Sequence, residues 1–241
     1  MPRFDLIAFD ADDTLWHNER LYIAARDKLA ALLSRYGVDV PIGDRLYRTE
    51  SRNIDLFGYG IKSYILSMIE TAVELTGGHL SDEDVLAIIG LGREMLDARV
   101  DLLDHAAETV ARLASTHRLM IITKGDLRDQ EMKVARSGLQ DYFQHIEIVS
   151  EKDRRNYAAL LAAQSLDPAC FLMVGNSLRS DILPVIEMGG WAAYVPYATT
   201  WQHEAAELPG PDQARFYQIE HLGLLPALLA RLETEEADSR P

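Results

Sequence analysis

Apolar residues recur along this chain in two rhythms. Five short runs are almost continuous: residues 4–10, 118–123, 146–150, 171–175 and 191–196. Their length predicts strands, and the first, broken only by Asp5, reads as a buried one. The second rhythm is helical. It fills 126–137, 153–165 and 180–188 between the last four runs, and recurs at 105–115 and 219–235. Strand alternating with helix predicts an α/β fold, a doubly wound parallel sheet. The first two runs are not joined by one helix. Between them helices are predicted near 19–36, 41–53, 60–76 and 81–100, with Gly37, Gly58, Gly77 and Gly78 as stop signals. Ser81 with Asp84 resembles a helix N-cap followed by an acid three residues on. The expected organisation is a Rossmann-like core of residues 1–16 and 104–241. An all-helical cap of residues 17–103 is inserted into it and expected over the strand ends. The acidic tail, 233–241, is expected to fray.

Composition narrows the partners. The chain has 24 Lys and Arg against 38 Asp and Glu, a net charge of −14. That balance argues against nucleic acid or an anionic membrane as the main partner, while leaving small anionic substrates open. No apolar run is long enough to span a bilayer. The opening Met1-Pro2-Arg3-Phe4-Asp5 lacks the charged and long apolar parts of a signal peptide, so a cytoplasmic location is expected. The one cysteine, Cys170, sits among apolar neighbours and is expected to be a small buried hydrophobe. The seven histidines show no zinc-site spacing.

Polar residues gather where the apolar runs end. The first run stops at Asp10-Ala11-Asp12-Asp13-Thr14-Leu15. Crowded carboxylates cost free energy unless a cation or proton is shared, so a metal site, a general acid or both are implied. The plain alternative is a turn, which Asp-Asp also suits. The second run ends Thr123-Lys124-Gly125-Asp126, a hydroxyl and glycine before a helix start, suited to an anion or to an ordinary capped turn. Lys152 follows the third run, a phosphate ligand or a surface lysine. The fourth ends Gly175-Asn176-Ser177-Leu178-Arg179-Ser180-Asp181, a tight turn offering oxygen ligands or a helix cap.

In this order the four stations closely resemble the motifs of the haloacid dehalogenase superfamily. The resemblance spans residue 4 to about 196 and includes the helical insertion. It implies a magnesium-dependent phosphatase acting on a small phosphorylated metabolite. Asp10 would be the nucleophile that forms an aspartyl-phosphate, and Asp12 the general acid and then base. Thr123 and Lys124 would bind the phosphoryl group, and Lys152 would offset charge on it and on the nucleophile. Asp10, the main chain of Asp12, and Asn176 or Asp181 would hold Mg²⁺. The family's dehalogenase branch lacks an acid at the position of Asp12, which favours phosphoryl chemistry here. The fourth motif usually begins Gly-Asp, so Gly175-Asn176 is a departure that removes one charge.

Three other functions fit parts of this pattern. A phosphoglucomutase-like enzyme would pass the phosphoryl group to a sugar hydroxyl instead of water. A non-catalytic binder of a phosphorylated ligand is suggested only by Asn176. A signalling receiver also uses Asp, Thr and Lys at a sheet edge, but lacks the long insertion. Trp16, His17, Asn18, Arg52, Asn53, Tyr59 and Lys62 are candidate substrate contacts, each with an ordinary packing or surface role as its alternative. The segment 199–204 suggests no role, and the oligomeric state is unreadable.

Overall fold

The computed structural model describes residues 3–199, 201–210 and 213–238. They form two compact units. The first comprises residues up to His17, Val100–Thr123 and the chain from Val134 onward; the second comprises Asn18–Arg99 and Lys124–Lys133.

The first unit is built on a six-stranded sheet. Its strands are β1 (Leu6–Phe9), β2 (Leu119–Lys124, whose last residue groups with the second unit), β3 (His145–Val149), β4 (Phe171–Gly175), β5 (Trp191–Tyr194) and β6 (Phe216–Gln218). The order is β3-β2-β1-β4-β5-β6. β1 pairs in parallel with both β2 and β4, Phe9 facing Ile121 on one side and Val174 on the other. Chain order therefore reverses between β1 and β4. A crevice opens outside the carboxyl ends of strands at such a reversal.

Side chains alternate across this sheet. Ile7, Phe9, Ile121, Leu172, Val174 and Ala193 belong to one core with Val110, Leu113 and Leu229. Leu6, Ala8, Met120, Met173 and Ala192 belong to the other with Tyr157, Leu161 and Val185. Both faces are thus covered over β1, β2, β4 and β5, which is why those strands read as apolar runs, whereas β3 at the sheet edge alternates and is only partly buried. β6 was not visible in that pattern. It is a three-residue edge strand, partly exposed along its length, and pairs only with β5.

In the second unit, α1 (Glu19–Ser34), α2 (Gly43–Phe57), α3 (Ile61–Leu75) and α4 (Asp82–Asp97) share a separate core that includes Leu29, Leu33, Leu46, Ile61, Met68 and Ile88. Ser81 caps α4 as predicted, its hydroxyl accepting the Asp84 N–H at 3.1 Å. In the first unit, the segments that leave and re-enter it run side by side. The His17 N–H donates to the Asp101 carbonyl and the Leu103 N–H to that of Leu15, both at 3.0 Å.

The remaining helices are α5 (Ala106–Ala114), α6 (Leu127–Ser137), α7 (Arg154–Ala163), α8 (Leu183–Glu187) and α9 (Leu225–Asp238). Two depart from expectation. The helix predicted over 219–235 begins only at Leu225 after a 3₁₀ turn, and Pro226 occupies its first turn, where a missing N–H costs nothing. It continues to Asp238 through most of the segment expected to fray; residues 239–241 lie outside the described residues. The helix predicted over 180–188 divides into a π-type turn, Leu178–Ile182, and the short α8. Pro184 has no N–H for the Ser180 carbonyl, and the buried Tyr157 hydroxyl donates to that carbonyl instead at 3.1 Å. Cys170 is only half-buried, in a 3₁₀ turn, not enclosed as expected.

Candidate active site

The site grows from the end of β1. The Asp10 N–H extends the ladder to the Val174 carbonyl at 2.9 Å, so the first carboxylate is fixed at the reversal point. The chain then turns sharply. The N–H groups of Thr14, Leu15 and Trp16 all point to the Ala11 carbonyl, and Asp13 takes a left-handed conformation at φ 61°. Asp is among the few non-glycine residues that tolerate that region. The third acid of the cluster is thus accounted for by the turn.

This turn returns Thr14 to Asp10. The Thr14 hydroxyl lies 3.0 Å from Asp10 Oδ2 and 3.1 Å from Asn176 Oδ1, and accepts the Asn176 N–H at 3.1 Å. Its single proton serves two oxygens, one a carboxylate and one an amide. Two oxygen donors therefore converge where only one hydrogen bond can be made to them at a time. Hard oxygen donors brought together in this way suit Mg²⁺. Among the described residues no group of three or more His, Cys, Asp or Glu gathers as a metal cage. A site using one carboxylate, a main-chain carbonyl and an amide would not form such a group.

Lys152 is not a surface lysine. It is 4% exposed and donates to Asp10 Oδ1 and, at 2.8 Å, to Asp181 Oδ1. Asp181 is 0% exposed, and its Oδ2 accepts the Ser177 N–H at 3.0 Å. Both of its oxygens are thus engaged with protein. Gly175 makes room for this carboxylate: a Cβ there would collide with Asp181. Gly175→Ala should destabilise the protein by about 1–3 kcal/mol, the usual cost of overpacking a filled interior. Urea denaturation checks this, and unchanged stability would show that Asp181 has space to move.

Two buried carboxylates share one ammonium, and their charges do not cancel. Burial pushes the Asp10 carboxyl up; Lys152 opposes that, Asp181 and Asp12 reinforce it, and the result is about 7. Burial raises Asp181 as well, against the pull of Lys152. For Lys152, burial alone would lower the ammonium, but Asp10 and Asp181 outweigh it and hold it above its ordinary value.

The other expected residues fall as follows. Asp12 is partly exposed, and its Oδ1 accepts the Trp16 indole N–H at 2.7 Å. Trp16 is itself buried, and its indole N–H holds this acid in place. Thr123 is buried at the end of β2, two residues past the register partner of Phe9. Lys124 belongs to the second unit, where its ammonium lies 4.2 Å from the Tyr59 ring centre. In that unit Lys62 pairs with Asp126 at 2.9 Å, Arg52 with Glu70 at 3.0 Å, and Asn53 donates to Ser67 and Glu70. Asp126 accepts the Asp129 N–H, the capping role weighed for it. In the first unit His17 Nδ1 meets the Tyr197 hydroxyl at 2.7 Å.

Sequence reasoning missed Thr14, Ser177 and Glu204. Thr14 carried a usable signal, four residues beyond Asp10 in a turn that closes on itself. Glu204 carried none, because only the fold brings it to Ser177 and Ser180.

A Rossmann-like strand order with a lysine–carboxylate cluster at its reversal point places the chain in the class of parallel-sheet enzymes. It belongs to the haloacid dehalogenase-like hydrolase family, whose model matches residues 4–189. It is 26% identical to a glyceraldehyde 3-phosphate phosphatase of Pyrococcus furiosus over 255 aligned positions, covering 100% of this chain and 98% of that one. It is 28% identical over 138 positions to the N-acylneuraminate-9-phosphatase of Mus musculus, covering 55% of this chain and 53% of that one. The crystal structure of a haloacid dehalogenase-like family hydrolase from Xanthomonas campestris superposes with a TM-score of 0.88 at 38% identity, covering 99% and 96% of the two chains. Among the described residues no helix is long and apolar enough to cross a membrane.

Proposed function

We propose that this chain is a phosphatase for a small phosphate monoester, working through an aspartyl-phosphate on Asp10. The observation that carries the reading is the Asp10 carboxylate at the sheet's reversal point, fixed by Lys152 and Thr14, with a second acid, Asp12, two residues on. Two relatives whose names are those of sugar-phosphate or sialic-acid phosphate phosphatases support it. In the first step an Asp10 oxygen attacks phosphorus, the bond to the leaving oxygen breaks, and Asp12 protonates that oxygen. In the second, Asp12 takes a proton from water, the water oxygen attacks phosphorus, and the bond to Asp10 breaks. The carboxylate is restored and phosphate leaves. Trp16 keeps Asp12 oriented for both transfers. Lys152 offsets charge on the Asp10 side of the displacement, and Thr123 holds a phosphoryl oxygen.

Asp10, the Asp12 carbonyl and Asn176 would hold Mg²⁺, which when bound neutralises charge on the phosphoryl group. Asp181 is assigned to bracing Lys152, since both its oxygens already have protein partners. A neutral amide in the ligand set implies a site that depends on substrate oxygens for its affinity.

Phosphate release should be assayed with Mg²⁺ over p-nitrophenyl phosphate, glyceraldehyde 3-phosphate, N-acylneuraminate 9-phosphate, nucleotides and other sugar phosphates. Release that EDTA abolishes supports the reading. An isomerised sugar phosphate without free phosphate replaces it with phosphotransfer, and binding without turnover replaces it with a binder. Asp12→Asn sharpens the test. Phosphorylation of Asp10 should slow by about 10²-fold or more with an alkyl ester, and less with p-nitrophenyl phosphate, whose leaving oxygen needs little protonation. Equal losses with both esters in single-turnover measurements would remove Asp12 from the acid role.

A further inference from the structure

The connection after β5 brings one more carboxylate to the loop that follows β4. Glu204 ends a short 3₁₀ turn, Gln202–Glu204. Its Oε2 accepts the Ser180 hydroxyl at 2.5 Å and also the Ser177 hydroxyl. The main chain is tied at the same place: Arg179 Nη1 donates to the His203 carbonyl at 3.0 Å, and the Glu204 N–H to that of Trp201 at 2.9 Å.

These bonds complete a chain that leads to the lysine. The Ser177 Oγ accepts the Ser180 N–H at 2.9 Å, so it is satisfied as donor and acceptor only while Glu204 is in place. The Ser177 N–H holds Asp181 Oδ2, and Asp181 Oδ1 holds Lys152. Ser177, Ser180 and Asp181 are all buried, so a lost partner there is not cheaply replaced by solvent. Hydroxyl bonds to an ionised acceptor are about twice as strong as neutral ones. One carboxylate thus clamps the turn that has Asn176 before it and Asp181 at its end.

We infer that Glu204 is a positioning residue, a latch on the 177–181 turn that through Asp181 keeps Lys152 set against Asp10. The inference rests on the phosphatase reading for its kinetic consequence only. The two side-chain bonds of the latch go to Ser177 and Ser180, not to the reacting atoms or the oxygens assigned to Mg²⁺, so its loss should lower kcat and leave KM nearly unchanged.

The test compares Glu204→Ala, Glu204→Gln and Ser180→Ala with wild type, using p-nitrophenyl phosphate and Mg²⁺. Glu204→Ala should lose about 10-fold or more in kcat with KM changed less than about 3-fold. Glu204→Gln should recover most of that, because its amide oxygen still accepts both hydroxyls. Hydrogen exchange across residues 176–182 should accelerate in Glu204→Ala and far less in Glu204→Gln. If Glu204→Ala does not fold, Ser180→Ala removes one of the two bonds and should show the same kcat-only loss, smaller in size. Wild-type kcat in Glu204→Ala, a loss confined to KM, or a Gln variant as slow as Ala would each overturn the latch. If wild type releases no phosphate from any ester, the phosphatase reading fails by itself. Exchange then decides: faster exchange in Glu204→Ala upholds the latch, and unchanged exchange overturns it.

Discussion

Asp10→Asn should turn over phosphate esters about 10⁴-fold more slowly than wild type, or worse, and still fold. The amide keeps the size of the carboxylate but cannot open the displacement on phosphorus. The fold should survive because Lys152 keeps a second partner: Asp181 still accepts its ammonium at 2.8 Å. Thr14 keeps an acceptor on either the new amide or Asn176. Burial of Asp10 even favours the neutral residue, since desolvation is the largest influence raising its carboxyl toward about 7. Stability should therefore hold or rise slightly. Two measurements check this. Steady-state phosphate release gives the loss in rate. Acid-quenched wild type incubated with substrate should gain the mass of one phosphoryl group on the peptide containing Asp10, and the variant should not. Turnover within about tenfold of wild type in the variant would rule out the covalent mechanism.

How far the sequence revealed this arrangement depended on the range of the interactions. The buried strands were legible because both faces are covered, so β1, β2, β4 and β5 show as uninterrupted apolar runs. β6 was not, because a three-residue edge strand pairs on one side and needs no such run. The cap of α4 at Ser81 was legible because it is made within three residues. The break in the helix near 180 was legible only in hindsight from Pro184, since local periodicity hid the role of the Ser180 carbonyl as partner of Tyr157.

The same distinction runs through the site. Asp10, Lys152, Asn176 and Asp181 could be picked out as polar residues at strand ends, where sheet topology collects them. What each carboxylate does could not be read that way. The sequence left Asn176 and Asp181 as equal choices for a metal ligand. Their partners differ, which is the ground for proposing Asn176: it shares the Thr14 hydroxyl with Asp10, while both Asp181 oxygens bond Lys152 and Ser177. Trp16 could be read either as a substrate contact or as packing, and only the fold shows that its indole N–H holds Asp12.

Lys152 is the residue whose loss should cost the most stability. Lys152→Met keeps an unbranched side chain of similar reach but leaves Asp10 and Asp181 facing each other without a cation. Removing one partner from a buried ion pair typically costs about 3–5 kcal/mol, because the charge left behind is uncompensated. The deficit should depend on pH, with a sign that follows from the shifts. Asp10 is already raised from its ordinary 3.8 to about 7 with Lys152 present, and Asp181 is raised too. A carboxyl raised on folding takes up protons as the chain folds, so it favours the folded state at low pH and loses that advantage as pH rises through its folded value. Without Lys152 both shifts grow. The stability difference from wild type should therefore be largest near pH 8 and shrink toward pH 5. Adding Asp181→Asn to Lys152→Met removes one of the two facing charges and should restore part of the stability. It should restore none of the phosphatase activity, which still lacks the cation beside Asp10. Urea denaturation of the single and double variants at the two pH values provides the test. A deficit below about 1 kcal/mol, the range of exposed pairs, would mean that Lys152 is not paired in the interior as described. A deficit equal at both pH values would mean that the facing carboxyls are not its cause.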